Sequence, residues 1–98
     1  MMSDEEQRVK TLADIFSALG NPLRLKILNI VASSDRPLHI KAVSKMVKTR
    51  YPVIYKHVKV LERAGLVKIY EVGRSRVISI RSPTSLERIF LAVEEINK

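Results

Sequence analysis

The sequence has no cysteine and only two histidines, His39 and His57. The absence of cysteine excludes disulfides, thiolate zinc sites and cysteine nucleophiles. The two histidines lack a clear acidic partner nearby, so their spacing does not indicate a metal site. Long apolar runs are also missing, and the N-terminal MMSDEEQRVK has no apolar segment of the secretory type. We therefore expect one small cytoplasmic domain, 1–98, with no cofactor.

Acidic residues are scarce in the middle of the chain. The net charge of the whole sequence is +8, yet residues 36–81 carry twelve basic side chains against only Glu62 and Glu71, a net charge of +10. The remaining segments together are slightly acidic. A charge concentrated in this way is typical of a surface that binds a polyanion, although a merely solvated basic surface is the simpler alternative.

Apolar spacing and turn signals predict an alternation of helices with one hairpin. Gly20 ends a first helix, Asn21 caps the next one, and Pro22 suits its first position, where no N–H is needed. The predicted order is helix 5–19, a helix from residue 22, a very short strand at 38–40, a short helix, a tight turn at 48–50, a helix ending at Ala64, a hairpin with its tip at 73–76, and helix 84–97.

Two short helices joined by a tight turn and followed by a hairpin are the elements of a winged helix-turn-helix. We therefore predict a mainly α fold with a small β-hairpin, in which 40–65 form the helix-turn-helix and 66–81 the wing.

The second helix of this unit has a basic outward face. At 100° per residue, Ile54, Val58 and Leu61 fall on one buried side, which leaves lysine, arginine and tyrosine outward. A recognition helix needs such side chains, because its first turns reach base edges while cations neutralise phosphates. The candidate DNA-binding residues are Lys48, Thr49, Arg50, Tyr51, Tyr55, Lys56, His57, Lys59, Arg63, Arg74, Ser75 and Arg76.

Each candidate also has a structural alternative. The two tyrosines could be partly buried with a solvated hydroxyl, and the lysines and arginines could be solvated only. His57 lies on the flank nearer the core, where packing or a phosphate contact is favoured over metal binding. The wing tip could be an ordinary exposed turn that prefers glycine and serine.

The stretch ALGNPLRLKIL at 18–28 resembles the entry signature of the ArsR family of winged helix-turn-helix repressors. Residues 40–80 are similar to the family's helix-turn-helix and wing, with His57-Val58-x-x-Leu61, AGLV and a Gly-Arg wing as the matching features. The resemblance covers about 9–97. It implies a homodimer that binds a pseudo-palindromic operator in double-stranded DNA and acts as a transcriptional repressor.

The resemblance also implies that the first and last helices, 5–19 and 84–97, form the dimer interface. Both helices have an apolar stripe that so small a chain can scarcely cover alone, although the core of one chain is the alternative for any single residue. The candidate interface residues are Leu12, Phe16, Leu86, Ile89, Phe90 and Val93.

This sequence departs from the family in two respects. Metal-sensing members use cysteines before the turn, or histidines and carboxylates on the last helix. The sequence has no cysteine, and residues 84–98 contain no histidine, so we expect no metal sensing. The usual small polar residues at the start of the recognition helix are replaced by Tyr51, Pro52 and Tyr55.

We expect a sequence-specific, nucleoid-associated regulator of transcription. A non-specific architectural DNA-binding protein and a protein-interaction module of the same fold remain alternatives. An enzyme is the least favoured reading, because the sequence has no nucleophile–base arrangement and no phosphate-binding glycine loop.

Overall fold

The first two helices begin with side-chain caps, and the second of these is the cap that the sequence predicts. The first helix begins with a capping box between Ser3 and Glu6. The Asn21 side chain accepts a hydrogen bond from the backbone N–H of Arg24 and so caps the second helix, which begins at Pro22.

The computed structural model describes all 98 residues, Met1–Lys98. It contains five helices and three strands, and none of the helices is long and apolar enough to cross a membrane. The elements are α1 (Asp4–Leu19), α2 (Pro22–Ala32), β1 (Leu38–His39), α3 (Ile40–Met46), α4 (Tyr51–Arg63), β2 (Val67–Val72), β3 (Ser75–Ile80) and α5 (Pro83–Ile96). The predicted winged helix-turn-helix fold is confirmed.

The three strands form one antiparallel sheet in the order β1-β3-β2. Strands β2 and β3 form the wing, and β1 extends the sheet beyond the hairpin. The turn of the wing contains only Gly73 and Arg74, because Val72 already pairs with Ser75. The predicted four-residue tip at 73–76 is therefore too long, and Ser75 and Arg76 belong to strand β3.

The core lies where α2, α3, α4 and the sheet meet. Its fully buried members are aliphatic side chains that shield one another from water, which is the main source of stability in a domain of this size. They are Ile27, Leu28, Ile40, Val43, Ile54, Val58, Leu61 and Ile78. Helix α4 therefore contributes one complete face to the core and leaves its other sides for contacts outside it.

The turn between α3 and α4 has an unusual backbone. Lys48 has a φ of +54°, the left-handed region that glycine fills most easily. The N–H of Thr49 donates to the carbonyl of Ser44 at 3.0 Å across this turn, which is the hydrogen bond of a Schellman motif. A lysine thus occupies the position that usually favours glycine.

Candidate nucleic-acid interface

Helix α4 is buried on one side and open on the opposite side. Ile54, Val58 and Leu61 have no exposed surface, whereas Lys56 and Arg63 are exposed. Val53 is 38% exposed, which places a branched apolar side chain on a face that is otherwise basic. An exposed helix face of this kind offers cations for phosphates and an apolar group for a thymine methyl.

One flank of α4 contacts the wing. The rings of Tyr51 and Tyr55 are stacked, with centroids 6.0 Å apart and an interplanar angle of 9°. The guanidinium of Arg76 lies 4.8 Å from the centre of the Tyr55 ring, and its Nη1 donates a hydrogen bond to the Tyr51 hydroxyl at 3.3 Å. This hydrogen bond is the main reason why the pKa of Arg76 is raised, so the side chain stays charged.

The two tyrosines are half-buried at the edge of the core, and they also contact each other and Arg76. The sequence identified all three side chains as candidates but did not predict that they touch. Their positions on adjacent turns of one helix explain the stacking, because residues four apart share a helix face.

A cleft of about 360 Å³ opens between the wing and the first turns of α3 and α4. We call it the basic cleft. It is lined by His39, Lys41, Tyr51, Arg74, Ser75 and Arg76. The cleft contains no carboxylate, and neither Lys41 nor Arg74 forms an ion pair. His39 and Lys41 belong to this cleft, although the sequence analysis did not include them among the DNA-binding candidates.

The other flank of α4 contacts α1 and α2 through Arg24. The Nη1 of Arg24 donates to Nδ1 of His57 at 3.1 Å, and Nε donates to the carbonyl of Ala18 at 2.6 Å. A third bond from Nη2 reaches the Ser17 carbonyl at 3.3 Å. Arg24 therefore joins the end of α1 to α4, a role that its position in the sequence does not reveal.

Burial and the contact with Arg24 both favour the neutral form of His57. Desolvation by burial, together with the positive charge of Arg24, lowers the pKa of His57. The ring is therefore neutral near pH 7, and because Nδ1 accepts from Arg24, the proton lies on Nε2. His57 therefore packs against its own chain, and its contact with DNA, for which only Nε2 is left, stays a prediction.

Lys59 is not a free cation. Its Nζ lies 2.6 Å from the Glu62 carboxylate, and about a third of each side chain is exposed. The helical wheel placed Lys59 outward but did not pair it with Glu62. Lys56, which has no such partner, is the cation at the centre of the outward face.

The end helices leave a second surface uncovered. Phe16 is 58% exposed and Val93 is 51% exposed, and α1, α2 and α5 enclose an apolar groove of about 390 Å³. Leu86 does not belong to this surface. Its side chain is 3% exposed because it packs into the core of its own chain, so its expected place in a dimer interface is corrected. The predicted residues that remain are Leu12, Phe16, Ile89, Phe90 and Val93, of which Ile89 and Phe90 are half-buried.

Comparison with known sequences gives relatives of one functional class. The chain is 33% identical over 67 residues to an uncharacterised HTH-type transcriptional regulator of Methanocaldococcus jannaschii, an alignment that covers 68% of this chain and 74% of the relative. No model of a known protein family matches the sequence.

Solved structures give the same fold. A crystal structure of an ArsR family transcriptional regulator superposes with a TM-score of 0.70 and 27% identity, covering 87% of this chain and 92% of that one. The homodimeric winged helix-turn-helix DNA-binding domain of a possible ArsR-family regulator from Mycobacterium bovis superposes with a TM-score of 0.81 at 21% identity, covering 99% of this chain and 88% of that one.

Proposed function

This chain belongs to the ArsR family of winged helix-turn-helix transcriptional regulators, a DNA-binding class rather than an enzyme class, and on that premise we propose that it is a dimeric, sequence-specific repressor. It binds a pseudo-palindromic operator in double-stranded DNA at the nucleoid and uses no metal. The α4 helix lies in the major groove, and the wing follows the adjacent backbone.

The observation that carries this proposal is the distribution of charge around α4. Lys48, Arg50 and Lys56 are exposed and unpaired at its start, whereas the acidic residues of the chain lie mostly in α1 and α5. A duplex carries one phosphate charge for about every 1.7 Å of its axis, so such a surface gains affinity by releasing counterions.

The dimer is supported by the surface of the end helices. Phe16, Phe90 and Val93 line the apolar groove, whose volume of about 390 Å³ suits a few apolar side chains from a second copy. The Mycobacterium bovis domain with this fold is itself a homodimer. Two copies related by a two-fold axis present two α4 helices to two half-sites of an operator.

Selection of bound duplexes from random DNA, followed by anisotropy titrations at several salt concentrations, tests the proposal. We expect a preferred palindromic sequence bound at least about 10³-fold more tightly than random duplex. Equal affinity for selected and random duplexes would indicate an architectural protein, and no binding at low salt would refute DNA binding.

Single substitutions locate the binding surface. Lys56→Ala should reduce the slope of log affinity against log salt by about 0.9, the value expected for one lost phosphate contact. Lys59→Ala should change it less, because Glu62 already holds that lysine. Lys10→Ala, on the acidic α1 and paired with Asp14, is the control and should leave the slope unchanged.

The assembly is tested separately by sedimentation. Val93→Lys should convert the dimer to a folded monomer, because Val93 is 51% exposed in one chain and the added charge would be buried only at the apolar interface. A monomeric parent protein at micromolar concentration would contradict the dimer.

A further inference from the structure

We propose that the basic cleft is a binding site for one phosphodiester of the DNA backbone, and that Tyr51 and Tyr55 are positioning residues that hold Arg76 at its wall. The inference rests on the proposed function, because it names the part of the duplex that this cleft binds. It assigns to the tyrosine pair a role other than base reading.

The basic cleft collects positive charge from three separate parts of the chain. Lys41 comes from α3, Arg74 from the turn of the wing, and Arg76 from strand β3. Glu71 faces Arg76 across the hairpin, yet it does not line the cleft. Three cations with only this one carboxylate beside them repel one another, and an anion between them removes that repulsion.

Neutral donors complete the cleft. The Ser75 hydroxyl lies among the lining side chains, and His39 adds an imidazole. A phosphodiester has two non-bridging oxygens that share one negative charge and accept hydrogen bonds from groups of these kinds. The cleft offers neither an apolar slot nor a carboxylate for a base, so its chemistry fits a backbone phosphate rather than a nucleobase.

Arg76 differs from the other cations because its orientation is fixed. One of its five N–H groups donates to Tyr51, and the Tyr55 ring supports the guanidinium from 4.8 Å away. A long side chain that is already held in place loses less conformational freedom when it binds. Four N–H groups remain for a phosphate, which arginine can bind with two parallel hydrogen bonds.

The same contacts connect the wing to the recognition helix. Arg76 lies on β3 and both tyrosines lie in the first two turns of α4, so the three side chains set the distance between these elements. A phosphate in the basic cleft would lie between α4, in the major groove, and the wing, which follows the adjacent part of the backbone. Lys48 and Arg50 are exposed in the turn immediately before Tyr51, which lines the cleft. These further cations support a DNA duplex as the source of the phosphate.

Duplexes with one phosphate replaced by a neutral methylphosphonate, scanned across the selected site, provide the test. We expect Arg76→Ala to lower the salt slope by about 0.9. One methylphosphonate position should weaken the parent protein clearly more than it weakens Arg76→Ala, in which only Lys41 and Arg74 still face that phosphate. If every position weakens both proteins equally, Arg76 contacts no phosphate and the proposal is overturned.

Tyr51→Phe tests the positioning role, because it keeps the stacked ring and removes only the hydrogen bond to Arg76. We expect an affinity loss of about fivefold, the size of one ordinary hydrogen bond, with an unchanged salt slope. In the Arg76→Ala background the same substitution should cost nothing. An equal loss in both backgrounds would show that Tyr51 contacts DNA itself and would overturn its assignment.

Three controls separate the possible outcomes. Each variant should keep the parent melting temperature. Arg76→Lys should keep the salt slope while binding more weakly, because lysine supplies the charge but not the planar guanidinium group. Inorganic phosphate that displaces duplex from the parent but not from Arg76→Ala would assign the cleft to a small free anion instead. A parent protein that binds no duplex overturns both this inference and the proposed function, whereas binding without an Arg76 effect overturns this inference alone.

Discussion

Replacing Lys48 with glycine should stabilise the fold and weaken DNA binding at once. The left-handed backbone at Lys48 costs a residue with a side chain about 1–2 kcal/mol, and glycine avoids that cost. Glycine in turn loses more freedom on folding, roughly 0.5–1 kcal/mol. We therefore expect Lys48→Gly to raise the free energy of unfolding by about 0.5–1 kcal/mol, which shifts the melting temperature by about 2–8 °C.

The effect on binding should have the opposite sign. Lys48 is exposed, has no ion-pair partner, and lies in the turn immediately before α4. Its loss should lower the salt slope by about 0.9, as for any single phosphate contact. The positive φ at a lysine would then be strain that is retained because the side chain is needed at that point.

Lys48→Ala is the matched control, since it removes the charge and keeps the strained backbone. It should lower the salt slope as much as Lys48→Gly without raising the melting temperature. Circular dichroism melts at one fixed protein concentration measure stability, because dimerisation makes the melting temperature depend on concentration. The reasoning about strain is refuted if Lys48→Gly melts no higher than Lys48→Ala, and the phosphate contact is refuted if neither variant changes the slope.

Three further predictions concern the remaining faces of α4. Arg24→Met should lower stability by about 2–3 kcal/mol, because it removes the bonds to Ala18 and His57, whereas Lys26→Met on the same helix should change it little. Because the pKa of His57 is lowered in the folded protein, the unfolded chain binds more protons than the folded one, and stability should fall as the pH decreases below 6.5. His57→Gln should reduce that fall when melting temperatures are measured at several pH values. Val53→Ala should weaken operator binding about fourfold, and replacing the contacted thymine by uracil should abolish that difference if the thymine methyl is what Val53 touches.

Local signals predicted the helix ends well. In the run Gly20-Asn21-Pro22, the glycine follows the end of α1, the asparagine caps α2, and the proline is the first residue of α2. Each of these effects depends only on residues close by in the sequence. The wing was harder, because a hairpin's register depends on which residues pair across it. Gly73-Arg74-Ser75-Arg76 reads as one polar turn, yet the pairing of Val72 with Ser75 places half of it in the strand.

The contacts that orient the site could not be read from the sequence. Arg24 and His57 are 33 residues apart, and Tyr51 and Arg76 are 25 apart, so no helical wheel or motif relates them. The same limit applies to Leu86. It shares an apolar stripe with Phe90, and only the packing of α5 on the core decides which of the two is buried.

These long-range contacts change which part of α4 is free to read bases. The wheel leaves a broad arc of lysine, arginine and tyrosine facing outward. In the structure the tyrosines are engaged by Arg76 on one flank, and His57 is engaged by Arg24 on the other. The unengaged strip at the start of the helix is therefore narrow and consists of Pro52, Val53 and Lys56.

Within this narrow strip, the apolar side chain of Val53 and the cation of Lys56 can each contact a particular group of the DNA. Val53 can select a thymine methyl, and Lys56 can donate to the acceptors of a guanine or to a phosphate. Because side-chain contacts hold both flanks of α4, these two groups should meet the same base pairs in each half-site of the proposed operator. We therefore expect the operator's strongest preferences to cover few positions, and the flanking affinity to come from phosphates contacted by the turn and the wing.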